Sequence, residues 1–228
     1  MQLSDFIRQF RNHPVLFVGT GMSLRYLENS YSWDDLLKKI CFELKGNNEY
    51  YYDIKSNHCY DGKYKYDEIA SDIEKEFNAT LVSDRNGKFK EINDLFYSNM
   101  EKGISISRFK LYIAQIFGTL KYKSNPELIE LKKTKKNLSS IITTNYDCML
   151  EDIFGFKPLV GNDILLSNPY GALYKIHGSI DEPDKIIITH DDYEKFNQKY
   201  ELIRAQLLSL FIHNPIIFIG YNIGGTIT

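Results

Sequence analysis

At 228 residues, with 43% hydrophobic and 25% charged side chains, the chain has an ordinary globular composition that excludes disordered and fibrous classes. Domains commonly run to about 100 to 200 residues, so the length suits one large domain, or one carrying a substantial insertion. A net charge of −2 argues against direct nucleic-acid binding, and the three cysteines Cys41, Cys59 and Cys148 include no CxxC pair, so no four-thiolate zinc site is expected.

In chain order, Leu3, Phe6, Ile7 and Phe10 recur at helical spacing behind Ser4, which predicts a short amphipathic helix ending before Pro14. Val15 to Val18 (VLFV) is apolar, partly β-branched and followed at once by Gly19-Thr20-Gly21, the pattern of a buried strand. Trp33 to Leu44 reads as a helix with Trp33, Leu36, Leu37, Ile40 and Leu44 on one face and Ser32 as cap.

Strand signals then fade, and helical patterns appear at 68–82, 92–100 and 107–120, divided by NNEY, DRNG and EKG turns. Residues 45–125 therefore read as a mostly helical insertion. Its tyrosines Tyr50, Tyr51, Tyr52, Tyr60, Tyr64 and Tyr66, interleaved with Lys55, Lys63 and Lys65, suit either base stacking or packing within the insertion or a subunit interface. A helix over 127–137 follows, with lysines near its end where they favour the helix dipole.

Four further strands are expected at Ser139–Thr143 (SSIIT), Leu173–Ile176 (LYKI), Lys185–Thr189 (KIIIT) and Pro215–Ile219 (PIIFI). Continuous apolar strands mixed with helices indicate an α/β protein whose parallel sheet is covered on both faces. The N-terminus lacks a signal-peptide core, and no stretch approaches the roughly 20 apolar residues needed to cross a bilayer. With the cysteine usage, this predicts a cytoplasmic protein without a membrane partner.

Ligands of open α/β sheets bind beyond the carboxyl ends of the strands. Four runs pass directly into small or polar residues: VLFV into GTGMS, SIIT into TNYD, YKI into HGS and IIFI into GYN. Parallel strands would bring all four onto one rim. Gly19 and Gly21 suit either a tight strand-to-helix turn or a close backbone approach to a pyrophosphate. Ser23 is either a phosphate donor or a helix cap, and Asn145 and Asp147 are either polar site residues or caps of the helix CMLEDIF. His177 lacks a Cys or His at metal-ligand spacing and is either structural or, on that rim, a general base. The chain has no GxxxxGK[ST], HExxH or GxSxG motif, so ATP hydrolysis and serine hydrolysis lose their main support.

Taken in order, GTGMS, SWDDLL, IITTNYD, KIHGS, IIITHDDY and FIGYN resemble the sirtuin-like NAD hydrolase domains of bacterial anti-phage defence systems. The resemblance implies a Rossmann-like sheet with a smaller helical module, spanning nearly the whole chain, and cleavage of NAD to nicotinamide and ADP-ribose. It implies Asn145 and His177 as the catalytic pair, with NAD contacts from Gly19, Thr20, Gly21, Ser23, Thr144, Asp147, Gly220, Tyr221 and Asn222. NAD is then a substrate, no metal is needed, and control is expected from homo-oligomerisation or a separate sensor partner such as an ATPase. The four-cysteine module and GIPDFR-like stretch of deacetylase sirtuins are missing, which disfavours deacylation; Gly-Thr-Gly stands where Gly-Ala-Gly is usual. GYN continues as IGGTIT instead of a small and an acidic residue leading into a helix, so part of the adenosine side is expected to be absent or to come from another chain. That departure keeps open a non-catalytic module that senses NAD or ADP-ribose.

Overall fold

A computed structural model of the chain describes residues 13–166 and 171–222. The helix expected around Leu3 to Phe10, and the IGGTIT tail, lie outside the described residues. Five parallel strands form one sheet in the order β5-β6-β4-β1-β7, with β1 at Val15–Val18, β4 at Ser140–Thr143, β5 at Pro158–Val160, β6 at Ala172–Lys175 and β7 at Ile216–Ile219. A small antiparallel pair, β2 (Cys59–Tyr60) and β3 (Lys63–Tyr64), stands apart. The helices are α1 (Thr20–Tyr26), α2 (Trp33–Lys45), α3 (Glu49–Asn57), α4 (Tyr66–Ser83), α5 (Lys90–Glu101), α6 (Arg108–Phe117), α7 (Glu127–Lys133), α8 (Met149–Phe154), α9 (His190–Lys199) and α10 (Glu201–His213).

The twofold alternation of strand side chains builds a core on each face of the sheet. Leu16, Val18, Ile141 and Leu173 pack against Met22 and Tyr26 of α1 and Met149, Leu150, Ile153 and Phe154 of α8. Val15, Phe17, Ile142, Ala172 and Tyr174 point the other way, onto Ile203, Leu207 and Leu210 of α10. This is the α/β, Rossmann-like arrangement expected of strands that read as continuous apolar runs. A third core belongs to the helices between α2 and α6, where Leu37, Ile40, Tyr51, Ile69, Ile73, Phe77, Phe109 and Ile113 are wholly buried. Tyr146, Ile186 and Ile188 join that helical core from the sheet side.

One strand expectation needs correction, and one strand was not expected. Lys185–Thr189 forms no strand: Ile187 donates its N–H to His177 O (2.9 Å), its carbonyl accepts from the Tyr146 hydroxyl (2.7 Å), and Ile188 N–H donates to Asp192 Oδ2 (3.2 Å). With its backbone groups taken by a turn and by side chains, the segment cannot join a ladder, and its isoleucines serve the helical core instead. The fifth strand is β5, a three-residue edge strand opened by Pro158, whose missing N–H is tolerable at an edge. The helix expected over 127–137 is α-helical only to Lys133 and continues as a 3-10 turn, Thr134–Asn137.

The tyrosine-rich segment contains α3, which tyrosine's modest helix propensity conceals and the burial of Tyr51 and Ile54 stabilises. Its cations and rings pack on each other, Lys55 lying 4.4 Å from the centre of the Tyr64 ring. Asp34, beside Trp33, accepts hydrogen bonds from Lys55, from the Tyr51 hydroxyl (2.7 Å) and from the Tyr66 hydroxyl (3.1 Å), which ties the start of α2 to α3 and α4. The cap expected at Ser32 is present, its Oγ accepting from Asp35 N–H at 3.1 Å. Among the described residues no helix is long and apolar enough to cross a membrane.

Candidate functional site

The strand register aligns Val18 with Thr143 and Ile219, and Thr143 with Lys175, so the chain leaves the sheet at one rim through Gly19, Thr144, Ile176 and Gly220. The β1 and β7 exits pack backbone against backbone: Gly19 N–H donates to Ile219 O (2.9 Å) and Gly21 N–H to Gly220 O (2.8 Å). A Cβ on Gly19 would lie 2.6 Å from Gly220 O. Gly220 itself has φ +63°, and a Cβ there would meet Met22 N at 2.4 Å. The glycines thus allow the two turns to meet, and the amides of Gly19 and Gly21 are engaged in doing so. Gly220→Ala should cost about 1–3 kcal/mol from its left-handed backbone and that close approach; urea unfolding checks it, and an unchanged midpoint would contradict the packing role.

Beyond this rim lie two adjoining compartments. The outer groove, about 390 Å³, is lined by Thr20, Gly21, Leu24, Ser32, Trp33, Thr144, His177, Tyr193, Gly220, Tyr221 and Asn222. The inner one, about 40 Å³, includes Thr20, Ser32, Trp33, Thr144, Asn145 and Asp147. Thr20, Ser32, Trp33 and Thr144 belong to both and form the boundary. The groove falls in the usual size range of small-molecule sites, about 300–1,000 Å³.

Asn145 is held from three sides. Its backbone N–H donates to Thr143 Oγ1 (3.1 Å), and its amide Nδ2 donates to Gly19 O (3.1 Å) and Ser23 Oγ (2.9 Å). Its Oδ1 is buried without a partner among the described residues. An acceptor left unmade in this way costs free energy unless something supplies a donor. Ser23, buried, donates its own hydroxyl hydrogen bond to Asp147 Oδ2 at 2.8 Å. Asp147 Oδ1 takes the Met149 N–H (3.1 Å), so Asp147 also performs the capping expected of this turn. Ser23 is therefore a link between Asn145 and Asp147, with its hydroxyl turned inward.

Behind the turn stands Lys175 of β6, with no exposed surface, whose ammonium donates to Tyr146 O (3.0 Å), Asp147 O (2.7 Å) and Glu151 Oε1 (2.7 Å). All three protons are used, the arrangement that makes a buried ammonium tolerable. Sequence reasoning passed over this residue. The available signal was a lysine inside an otherwise apolar strand.

His177 lies two residues beyond the end of β6, in a turn, and its ring stands edge-on to Tyr193 (centroids 5.4 Å) and Phe196 (6.4 Å). Loss of water around the ring pushes the imidazole down from its ordinary value near 6.5 to about 4, although part of the side chain still opens onto the groove. The ring is neutral at pH 7. Burial pushes the thiol of Cys148, which follows Asp147 in the chain, up to about 12, so this cysteine supplies no thiolate nucleophile.

Every residue expected to contact NAD is accordingly at this rim: Thr20, Gly21, Thr144, Gly220, Tyr221 and Asn222 on the outer groove, Asn145 and Asp147 on the inner compartment, and Gly19 and Ser23 directly behind them. Ser32, Trp33 and Tyr193 line the same space and were legible only as parts of the motifs SWDDLL and IIITHDDY. Among the described residues, no group of three or more His, Cys, Asp or Glu side chains is arranged to hold a metal ion.

Residues 139–225 match the SIR2-like domain model. The chain is 23% identical to "NAD(+) hydrolase ThsA" of Enterococcus faecium over 93% of its length, and 25% identical to the protein of that name from Cytobacillus dafuensis over 96%. It is also 26% identical, over 56% of its length, to "Defense-associated sirtuin 2" of Bacillus subtilis, covering 15% of that protein. The chain spans 37% of the length of each of the two hydrolases. Fold and matched residues together show a chain similar to SIR2-like domains over residues 139–225.

Proposed function

We propose that the chain binds NAD along the strand rim and hydrolyses it to nicotinamide and ADP-ribose, as the NAD-depleting effector of an anti-phage defence system. The observation that carries this reading is the buried, partnerless Asn145 Oδ1, on a residue lining the inner compartment that adjoins a groove holding a neutral histidine. The names of the related proteins, NAD hydrolases and a defence-associated sirtuin, support the substrate and the setting.

The residue chemistry suits the reaction. Departure of nicotinamide leaves oxocarbenium character on the ribose, and nicotinamide leaves neutral, so no general acid is required. Asn145 Oδ1 accepts a hydrogen bond from a ribose hydroxyl or from the attacking water. His177 takes the proton that water loses as its oxygen bonds to the ribose carbon, so that NAD and water give nicotinamide, ADP-ribose and a proton. Residues 45–125 act in this reading as a helical insertion within one sirtuin-like unit, working in the cytoplasm. Control comes from homo-oligomerisation or a separate sensor such as an ATPase, without direct binding of nucleic acid.

The test is incubation of the purified protein with NAD, alone and with candidate partners, following nicotinamide release. Binding without release in every condition would replace the hydrolase with an NAD- or ADP-ribose-sensing module, and loss of acetyl from a peptide would revive a deacylase. The low value at His177 adds a pH prediction. A base that protonates only near about 4 stays competent well below neutrality, so kcat/KM should hold within about twofold from pH 7 to about pH 5.5. A fall to half near 6.5 would contradict it. The stability contribution has the same sign: folding disfavours His177 protonation, so the contribution is complete above about 6.5 and is lost as pH falls towards about 4.

A further inference from the structure

Among the described residues the His177 ring has one polar partner. Its Nδ1 lies 3.5 Å from Tyr193 Oη, with the two rings perpendicular. No carboxylate stands where a histidine base commonly finds its orienting group. A neutral imidazole carries one proton, so Nε2 has a free lone pair only when that proton resides on Nδ1. In water the ring prefers the opposite tautomer. Something must accept the Nδ1 proton, and Tyr193 Oη is the acceptor within reach.

We propose that Tyr193 is the positioning residue of His177, its phenol oxygen accepting the Nδ1 proton so that Nε2 keeps its lone pair for the substrate groove. The inference deepens the hydrolase reading and rests on it for its kinetic half. The 3.5 Å separation is long, as hydrogen bonds around catalytic groups often are before substrate tightens them.

Tyr193 is itself rigidly placed. It sits in the first turns of α9, whose start carries a capping box between Thr189 and Asp192. Asp192 Oδ1 also accepts from the Lys110 ammonium of α6 at 2.6 Å, both side chains being largely buried. His190, at the start of α9, donates its N–H to Ser71 Oγ of α4 (3.0 Å) and sets Nδ1 against Asp67 at 2.8 Å. Trp33 of α2 packs near the Tyr193 ring, with centroids 6.5 Å apart. Three helices of the helical core thus hold the residue that orients His177. A neutral phenol does this without a buried counter-charge, and burial keeps the phenol protonated by raising its pKa.

The tautomer can be read without substrate. In the full chain labelled with 15N-histidine, long-range proton–nitrogen correlations at pH 7 should show His177 protonated on Nδ1, with His177→Gln supplying the assignment. Tyr193→Phe, which keeps the ring and removes the oxygen, should return His177 to the Nε2–H form and lower kcat for NAD about tenfold, with KM within about twofold. An Nε2–H ring in the wild type, or an unchanged tautomer in Tyr193→Phe, would overturn the proposal. A tautomer that switches as expected in a protein that never cleaves NAD would support the placement and refute the hydrolase reading, which keeps the two failures distinct.

Discussion

His177→Ala should lower nicotinamide release by about a hundred- to ten-thousandfold, the usual contribution of a positioned general base. Asn145→Ala should fall into the same range, for a different reason. It removes the buried acceptor of the inner compartment and also the two donor bonds, to Gly19 O and Ser23 Oγ, that hold the β1 and β4 exits together. If the two residues serve one transition state their effects are not additive, and the double variant should be no slower than the worse single one by more than a few-fold. Asn145→Asp should not rescue activity, because a second carboxylate would face Ser23 opposite Asp147, and Ser23 has one proton to give. Melting curves recorded alongside separate lost chemistry from lost fold. Release within about tenfold of wild type in either alanine variant would remove the catalytic pair from the proposal.

The second large effect concerns stability. Lys175→Met keeps an unbranched chain in the β6 position but deletes the ammonium, taking its donor from the Asp147 carbonyl and the Glu151 carboxylate and leaving the Tyr146 carbonyl with the Ile180 N–H alone (3.1 Å). Removing one member of a buried ion pair costs about 3–5 kcal/mol, because the remaining charge is left uncompensated. At this chain length such a loss lowers the melting temperature by roughly 10 °C. Burial already raises the Glu151 pKa, with Lys175 opposing that rise, so loss of the lysine should drive the carboxyl towards its neutral form. The double variant Lys175→Met/Glu151→Gln should recover part of the stability. A single-variant loss below about 1 kcal/mol would show that the cluster does not anchor the turn. Since the turn carries Asn145 and Asp147, activity should fall with stability even though Lys175 contacts neither compartment.

Four of the five strands, α2, and the convergence of the strand exits on one rim follow from the sequence alone. Continuous apolar runs that pass into glycine or polar residues can be satisfied by few structures other than a parallel sheet covered on both faces, and parallel strands must end on the same side. The residue types at those exits, Gly19, Asn145, His177 and Gly220, were legible for the same reason. Tertiary structure decided what each polar group does, because a hydrogen-bond partner more than a hundred positions away leaves no local trace. Ser23 as a phosphate donor and Ser23 as the partner of Asp147 are indistinguishable in the sequence; the 2.8 Å contact separates them. Ile186 to Ile188 carry a strand's pattern, but their backbone partners are a turn, a tyrosine and an aspartate, so the apolar run fills the helical core instead. Lys175 is a lone charge in an otherwise apolar strand, and the three acceptors around its ammonium come from segments 24 to 29 positions earlier. Periodicity records which face is buried, and that was enough for the sheet and its rim. The pairing of buried polar atoms depends on which segments meet in three dimensions, and it is this pairing that orients Asn145, holds the TNYD turn and places Tyr193 beside His177.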